Sequence, residues 1–211
     1  MGCKIFITAT DTEAGKTWVT ASAIRLLLEQ GMHAKALKPV ACGLNEAGKN
    51  EDIETLLAAQ GLGNANYINL YRYASSVAPS QSAAAEGQLI DTGHLVRWCN
   101  QQSEDMHACL IEGVGGLMTP LTDSLFVSDW IEAMEGCEVW LVIGCKLGAI
   151  NQAMLTLEKL KQMGCSPVRI FFNATTVEQN AWIQPVMDAV VPFVEDSCHI
   201  IKVQYMEPVT L

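Results

Sequence analysis

The residues most able to do chemistry stand in TATDTEAGKTWVTAS, Thr8 to Ser22, where Gly15, Lys16 and Thr17 join a β-rich run to a helical one. A loop that opens a helix can aim successive backbone N–H groups at one point, and the helix dipole favours an anion there. Such a loop suits nucleotide phosphate: Lys16 would reach the β- and γ-phosphates, and the Thr17 hydroxyl would bind Mg2+. The spacing departs from the usual Walker A pattern, because Thr10 stands where the first glycine belongs and Ala9 lies one step further back. Thr10, Asp11, Thr12 and Glu13 make the loop polar and partly acidic, so some of its side chains are expected to face a cationic, amine-bearing substrate. A solvated loop, or favourable charge near a helix N-terminus, would account for the acids equally well.

Two further segments end apolar runs with chemistry-bearing residues. KPVACG places Lys38 before a proline, and CLIEGVGG delivers Glu112 and then glycines. In a parallel sheet the carboxyl ends of the strands surround the ligand crevice, so both segments would reach the edge that carries the Lys16 loop. An acid there can hold Mg2+ directly or through water, and glycines let backbone approach phosphate. A surface lysine and an ordinary turn after a strand are the bland alternatives.

These residues need a scaffold, and the chain supplies a repeating rhythm of strand, loop and helix. KIFIT precedes TWVTASAIRLLLEQ; ALKPV precedes NEDIETLLAAQ; HACLIEG precedes SLFVSDWIEAM; EVWLVIG precedes INQAMLTLEKLKQM; VRIFFN precedes VEQNAWIQPVMDAV; and VVPFV is expected as a last strand. The strand candidates are continuously apolar, as a parallel sheet covered on both faces requires. The expectation is an α/β fold, one domain over residues 1–211, with a parallel sheet flanked by helices. Asn45 to Asn50 and Ser75 to Ser82 are expected as loops.

The 211 residues carry 13 Lys plus Arg against 23 Asp plus Glu, a net charge of −10 that would repel a nucleic-acid backbone. An anionic ligand must then be held by a local cluster of donors. No apolar run reaches the roughly 18 residues of a membrane-spanning helix, and MGCKIFITAT lacks the marks of a signal peptide, so a cytoplasmic protein without membrane partners is expected. The eight cysteines are scattered, with no CxxC pair, and read as reduced core residues.

ATDTEAGKT, KPVACG, NED, IEGVGG, TPLTD and KLGAINQAMLT stand in the order and at about the spacing found in dethiobiotin synthetases, and the chain resembles that family from Lys4 to about Glu195. The resemblance implies a P-loop NTPase-like fold and a ligase of biotin biosynthesis. In that family 7,8-diaminononanoate captures CO2 as a carbamate, the carbamate takes the γ-phosphoryl group of ATP, and the second amine closes the cyclic urea. By resemblance, Lys16 and Lys38 are the catalytic cations, and Thr17, Asp52 and Glu112 organise Mg2+. Glu13, Ala14, Gly15, Lys16, Thr17 and Trp18, together with Gly113, Val114 and Gly115, match contacts to nucleotide phosphate. Asn173, Ala174 and the loop Val191, Pro192 and Phe193 match contacts to the base, and Thr12 and Cys42 match substrate contacts.

The family is homodimeric with substrate near the subunit boundary, and KLGAIN resembles the segment approaching the partner's substrate carboxylate through Gly148, Ala149 and Asn151. Trp182 lies near the place of a substrate-contacting tyrosine. Two departures stand out: Ala9 replaces a glycine at what is expected to be a tight turn, and Cys42 replaces a hydroxyl residue. The rival functions are a partner-regulated ATPase switch of the partition and cell-division class, an amidoligase, and a non-catalytic nucleotide-binding relative. Asp11, where switch proteins carry a second lysine, and the acidic surface weigh against the first; the length leaves no room for the second's glutamine-hydrolysing domain.

Overall fold

A computed structural model describes residues 2–211. Six parallel strands form the main sheet: β1 (Cys3–Ala9), β2 (Ala34–Leu37), β5 (Ala108–Glu112), β6 (Cys137–Gly144), β7 (Arg169–Asn173) and β8 (His199–Val203). Their order is β2-β5-β1-β6-β7-β8. Two short parallel strands, β3 (Val40–Cys42) and β4 (Tyr71–Tyr73), pair separately.

The helices are α1 (Lys16–Glu29), α2 (Glu51–Gln60), α3 (Pro79–Ala85), α4 (Thr92–Ser103), α5 (Val127–Ala133), α6 (Ala149–Gln162) and α7 (Asn180–Val190). The central strands are buried because helices cover the sheet: Phe6, Ile7, Leu110, Ile111, Leu141, Val142, Phe171 and Phe172 are all inaccessible to solvent. No helix among the described residues is long and apolar enough to cross a membrane.

Parallel pairing brings the strand ends to one rim. Leu37 pairs with Ile111, so the next residues in each strand direction, Lys38 and Glu112, emerge level with one another. Ile7 pairs with Glu112 and Ala9 with Val142, which sets the loop after β1 between the ends of β5 and β6. Gly144 pairs with Asn173, and Asn173 with Val203, extending the rim outward.

Three expectations are corrected. VVPFV is not a strand: Val191–Phe193 form a 3-10 turn continuing α7, and the last strand is HIIKV, whose ladder with β7 completes the sheet. ALKPV divides at Pro39, whose missing N–H cannot continue a ladder, so β2 stops and β3 begins a second sheet. Part of the Ser75 to Ser82 loop is helical, because Pro79 occupies the first turn of α3, where its fixed φ fits a helix start.

Candidate active site

The loop after β1 turns through Glu13 at φ 55° and Gly15 at φ 94°, both left-handed, before α1 begins at Lys16. Glycine is required at position 15 on two counts: the left-handed conformation, and a Cβ there would lie 2.0 Å from Asn173 Nδ2. No side chain caps α1, so its first N–H groups remain free for an anion. Ala9 is not at the tight turn. It ends β1, fully buried opposite Val142, so its methyl belongs to the core.

Lys16 is buried, its ammonium donating to the Gly115 carbonyl at 2.6 Å and reaching the Asp11 carbonyl at 3.4 Å. Burial, reinforced by the neighbouring Lys38 charge, lowers its pKa to about 8, against the opposing pull of Glu112, Asp52 and Asp11. Gly115 thereby touches Lys16, and Gly113 and Val114 line the same rim between β5 and that contact.

Lys38, at 2% exposure, is the centre of a second cluster. Its Nζ lies 2.6 Å from Glu112 Oε1, 2.8 Å from Asp52 Oδ2 and 3.3 Å from the Gly113 carbonyl. Burial alone would lower its pKa, but the two carboxylates outweigh it and hold the amine charged above the ordinary lysine range. Asp52 answers in kind: burial would raise its carboxyl, yet Lys38 and the Thr17 hydroxyl carry it below the usual carboxylate value.

Thr17 Oγ1 stands 2.8 Å from Asp52 Oδ1 and 2.7 Å from Glu112 Oε1. Its single proton can satisfy one of them at a time. Glu112 Oε2 is buried without a hydrogen-bond partner. Two carboxylates and a hydroxyl in mutual contact, with an unmet buried oxygen, form the hard donor set that Mg2+ takes. No group of three or more His, Cys, Asp or Glu among the described residues could hold a metal ion.

Both clusters open into one cavity of about 1060 Å3, lined also by Thr12, Glu13, Cys42, Asn50 and Thr175. Cys42 is half-buried at the end of β3, with its thiol pKa raised by burial. Asp11 does not face this cavity as a free carboxylate. Its Oδ1 accepts from the Thr12 N–H, and its Oδ2 meets Lys146 at 3.4 Å and Gln152 at 3.0 Å, because the loop lies against the start of α6.

Asn173 is buried at the end of β7, its Nδ2 donating to the Ala14 carbonyl at 2.9 Å while its Oδ1 has no partner. Ala174 follows and is likewise buried, its N–H bonded to the Val203 carbonyl. Val191, Pro192 and Phe193 lie toward the opposite end of β7 from these residues. They follow α7 before the chain enters β8, where Glu195 bonds Ser166 and the His199 N–H bonds the Val168 carbonyl, both preceding β7.

The segment that reaches the Asn173 rim is instead the one after β8. Trp18 Nε1 donates to the Glu207 carbonyl at 2.8 Å, and the Tyr205 N–H donates to Asn180 Oδ1. The β-branched residues of HIIKV, Ile200, Ile201 and Val203, are the sequence signal that could have located it.

Gly148, at φ 88°, precedes α6 without a side-chain cap; Ala149 is buried and Asn151 exposed. Leu147 and Leu155 are strongly exposed apolar residues on this segment, and Trp182 is exposed on α7.

A family model described as an AAA domain matches residues 3–206. The ATP-dependent dethiobiotin synthetase BioD of Methylobacterium nodulans is 38% identical over 167 residues, 74% of each chain. That of Janthinobacterium sp. is 30% identical over 211 residues, covering 96% of this chain and 84% of its own. Among solved structures, the hydrogenase maturation factor HypB from Archaeoglobus fulgidus superposes with a TM-score of 0.57 at 14% identity, covering 96% of this chain and 81% of that one, a likeness of P-loop NTPase fold alone. With 38% identity sustained over 74% of both chains, this chain belongs to the family of ATP-dependent dethiobiotin synthetases.

Proposed function

We propose that residues 1–211 form one ligase unit that makes dethiobiotin from 7,8-diaminononanoate, CO2 and ATP, releasing ADP and phosphate. One amine adds to the carbon of CO2 and loses a proton, giving a carbamate. A carbamate oxygen attacks the γ-phosphorus and the bond to ADP breaks, leaving a carbamic–phosphoric anhydride. The second amine attacks the carbonyl carbon, the C–O bond to phosphate breaks, and a proton leaves with ring closure.

Phosphoryl transfer depends mainly on positioning and charge neutralisation, so the protein needs fixed cations more than a nucleophile. The observation that carries the reading is the Lys38 ammonium, held charged by Glu112 and Asp52 beside Thr17 and opening onto the Lys16 cavity. Lys16 and the free N–H groups of α1, with Glu13, Ala14, Gly15 and Trp18 around them, would hold the phosphates. Lys38 would meet the carbamate oxygen and the moving phosphoryl. Thr17, Asp52 and Glu112 would hold Mg2+, which when bound neutralises phosphate charge. Thr12 and Cys42 would line the diamine side.

The base is assigned to Asn173, Ala174 and the segment after β8; the buried, unpartnered Asn173 Oδ1 is an acceptor suited to an exocyclic amine. Homodimerisation in the cytoplasm belongs to the same proposal. Exposed Leu147 and Ile150 would meet a second copy, and the uncapped α6 N-terminus at Gly148, Ala149 and Asn151 would offer N–H groups to the partner's substrate carboxylate.

Phosphate release measured with and without 7,8-diaminononanoate and bicarbonate tests the reading. Release dependent on the diamine is expected. Diamine-independent turnover would favour an ATPase switch, and no turnover a non-catalytic binder.

A further inference from the structure

The segment leaving β3 with Cys42 and the helix bringing Asp52 are joined through one amide side chain. Asn50 is 8% exposed and uses both ends of its amide. Its Oδ1 accepts from the Ile53 N–H at 3.2 Å, capping α2, while its Nδ2 donates to the carbonyls of Cys42 at 3.0 Å and Gly43 at 2.9 Å.

Both connections lead into the cavity. Asp52, two positions on, contacts Lys38 and Thr17, and Cys42 and Gly43 line the wall beyond. Gly43 is held from its other side as well, its N–H donating to the Tyr73 and Ser75 carbonyls at 3.0 and 3.1 Å. Between the two ends the chain folds on itself: Asn45 donates to the Lys49 carbonyl and accepts from the N–H groups of Ala47 and Lys49. Asn50 therefore closes a small loop at its base, with one wall of the cavity at each end.

We infer that Asn50 is a positioning residue, setting the separation between the diamine wall at Cys42 and Gly43 and the phosphate–metal wall at Asp52. The inference rests on the ligase reading, in which the carbamate oxygen must stand in line with the γ-phosphoryl. Small misplacements of reacting groups are costly in such a step. Two donors and one acceptor in that geometry require an amide. A serine at position 50 can cap the helix but is too short to reach either carbonyl, and an aspartate has no donor.

Asn50→Ser separates the two duties. In the full chain, its ATP affinity, measured by calorimetry with Mg2+ present, is expected to stay within about twofold of the unsubstituted protein, because serine preserves the cap, while its unfolding midpoint falls modestly through the two lost hydrogen bonds. Its KM for the diamine is expected to rise about tenfold through the two lost hydrogen bonds. Asn50→Ala, which removes the cap as well, is expected to weaken ATP binding too.

Unchanged KM for the diamine in Asn50→Ser overturns the inference. So does a parallel loss in ATP affinity and diamine KM that follows a lowered unfolding midpoint. If the unsubstituted protein shows no diamine-dependent phosphate release, the ligase reading falls and takes this inference with it, a result distinct from an active parent with an unaffected Asn50→Ser.

Discussion

Lys38 Nζ and Glu112 Oε1 lie 2.6 Å apart with side-chain exposures of 3% and 0%, an ion pair withdrawn from water at the rim of the sheet. Asp52 adds a carboxylate 2.8 Å from the same ammonium, on a side chain 43% exposed. A buried pair of this kind contributes little net stability, since desolvation offsets attraction, while loss of one partner strands a charge. Its value to the protein lies in a charged amine kept at a fixed point.

Lys38→Ala is expected to lower diamine-dependent phosphate release by about 100-fold or more, the scale set by removing one preorganised charge-stabilising donor. It should also cost about 3–5 kcal/mol of stability, because Glu112 is left buried without its cation. Denaturant unfolding and steady-state kinetics check both effects. Pairing Lys38→Met with Glu112→Leu should restore much of the stability and none of the turnover; unchanged kinetics in Lys38→Ala would remove Lys38 from the site.

Nucleotide binding should take up a proton near and above pH 8. The free protein's Lys16, lowered to about 8, loses its proton as pH rises through that value, whereas a bound triphosphate favours the ammonium. ATP affinity should accordingly fall as pH climbs past 8. Calorimetric titrations in two buffers of different ionisation heat, at pH about 8.5 and about 6.5, should show uptake in the first and little in the second. Equal heats in both buffers at the higher pH would reject the linkage.

Cys42→Ser should keep or raise turnover. A hydroxyl is a stronger donor than a thiol, and the burial that raises the Cys42 thiol pKa disfavours a charged role. A large loss in the phosphate-release assay would take Cys42 out of contact with the carbamate.

Phe193→Ala should leave the KM for ATP unchanged, since that residue precedes β8, toward the strand ends opposite the Lys16 rim. Trp18→Phe removes the indole hydrogen bond to the Glu207 carbonyl and should raise the KM about 2- to 10-fold, the effect of one hydrogen bond. The reverse ranking would return the base to the Val191–Phe193 turn.

Leu147→Glu should convert a dimer to a monomer in sedimentation velocity while leaving the unfolding midpoint near its original value, because Leu147 is 83% exposed in the single chain. A parent protein already monomeric at assay concentration would dispose of the homodimer.

Much of the scaffold was legible because a parallel sheet buried on both faces writes continuous apolar runs, as in KIFIT, EVWLVIG and VRIFFN. The edge escaped this signal. HIIKV, at the border of the sheet, carries His199 and Lys202, while the more apolar VVPFV satisfied the same pattern and belongs to a 3-10 turn. At the site, Lys38 and Glu112 could be placed at strand ends, and Lys16 and Thr17 at the start of the first helix, because the order of apolar runs dictates where each strand stops and each helix begins. Asn50 was hidden because an asparagine before a helix announces a cap and says nothing of the carbonyls its other end will reach.

The chain by itself determined which groups could act: Lys38 and Glu112 at the ends of apolar runs, and Lys16 and Thr17 on a glycine loop able to turn left-handed. Tertiary structure alone decided their partnerships. It set Lys38 against Glu112 and Asp52, bound Asp11 to Lys146 and Gln152, and brought the segment after β8 beside Trp18. These contacts join residues far apart in sequence, and strand register, with the crowding at one rim of a sheet, selects among the pairings that charge alone would allow.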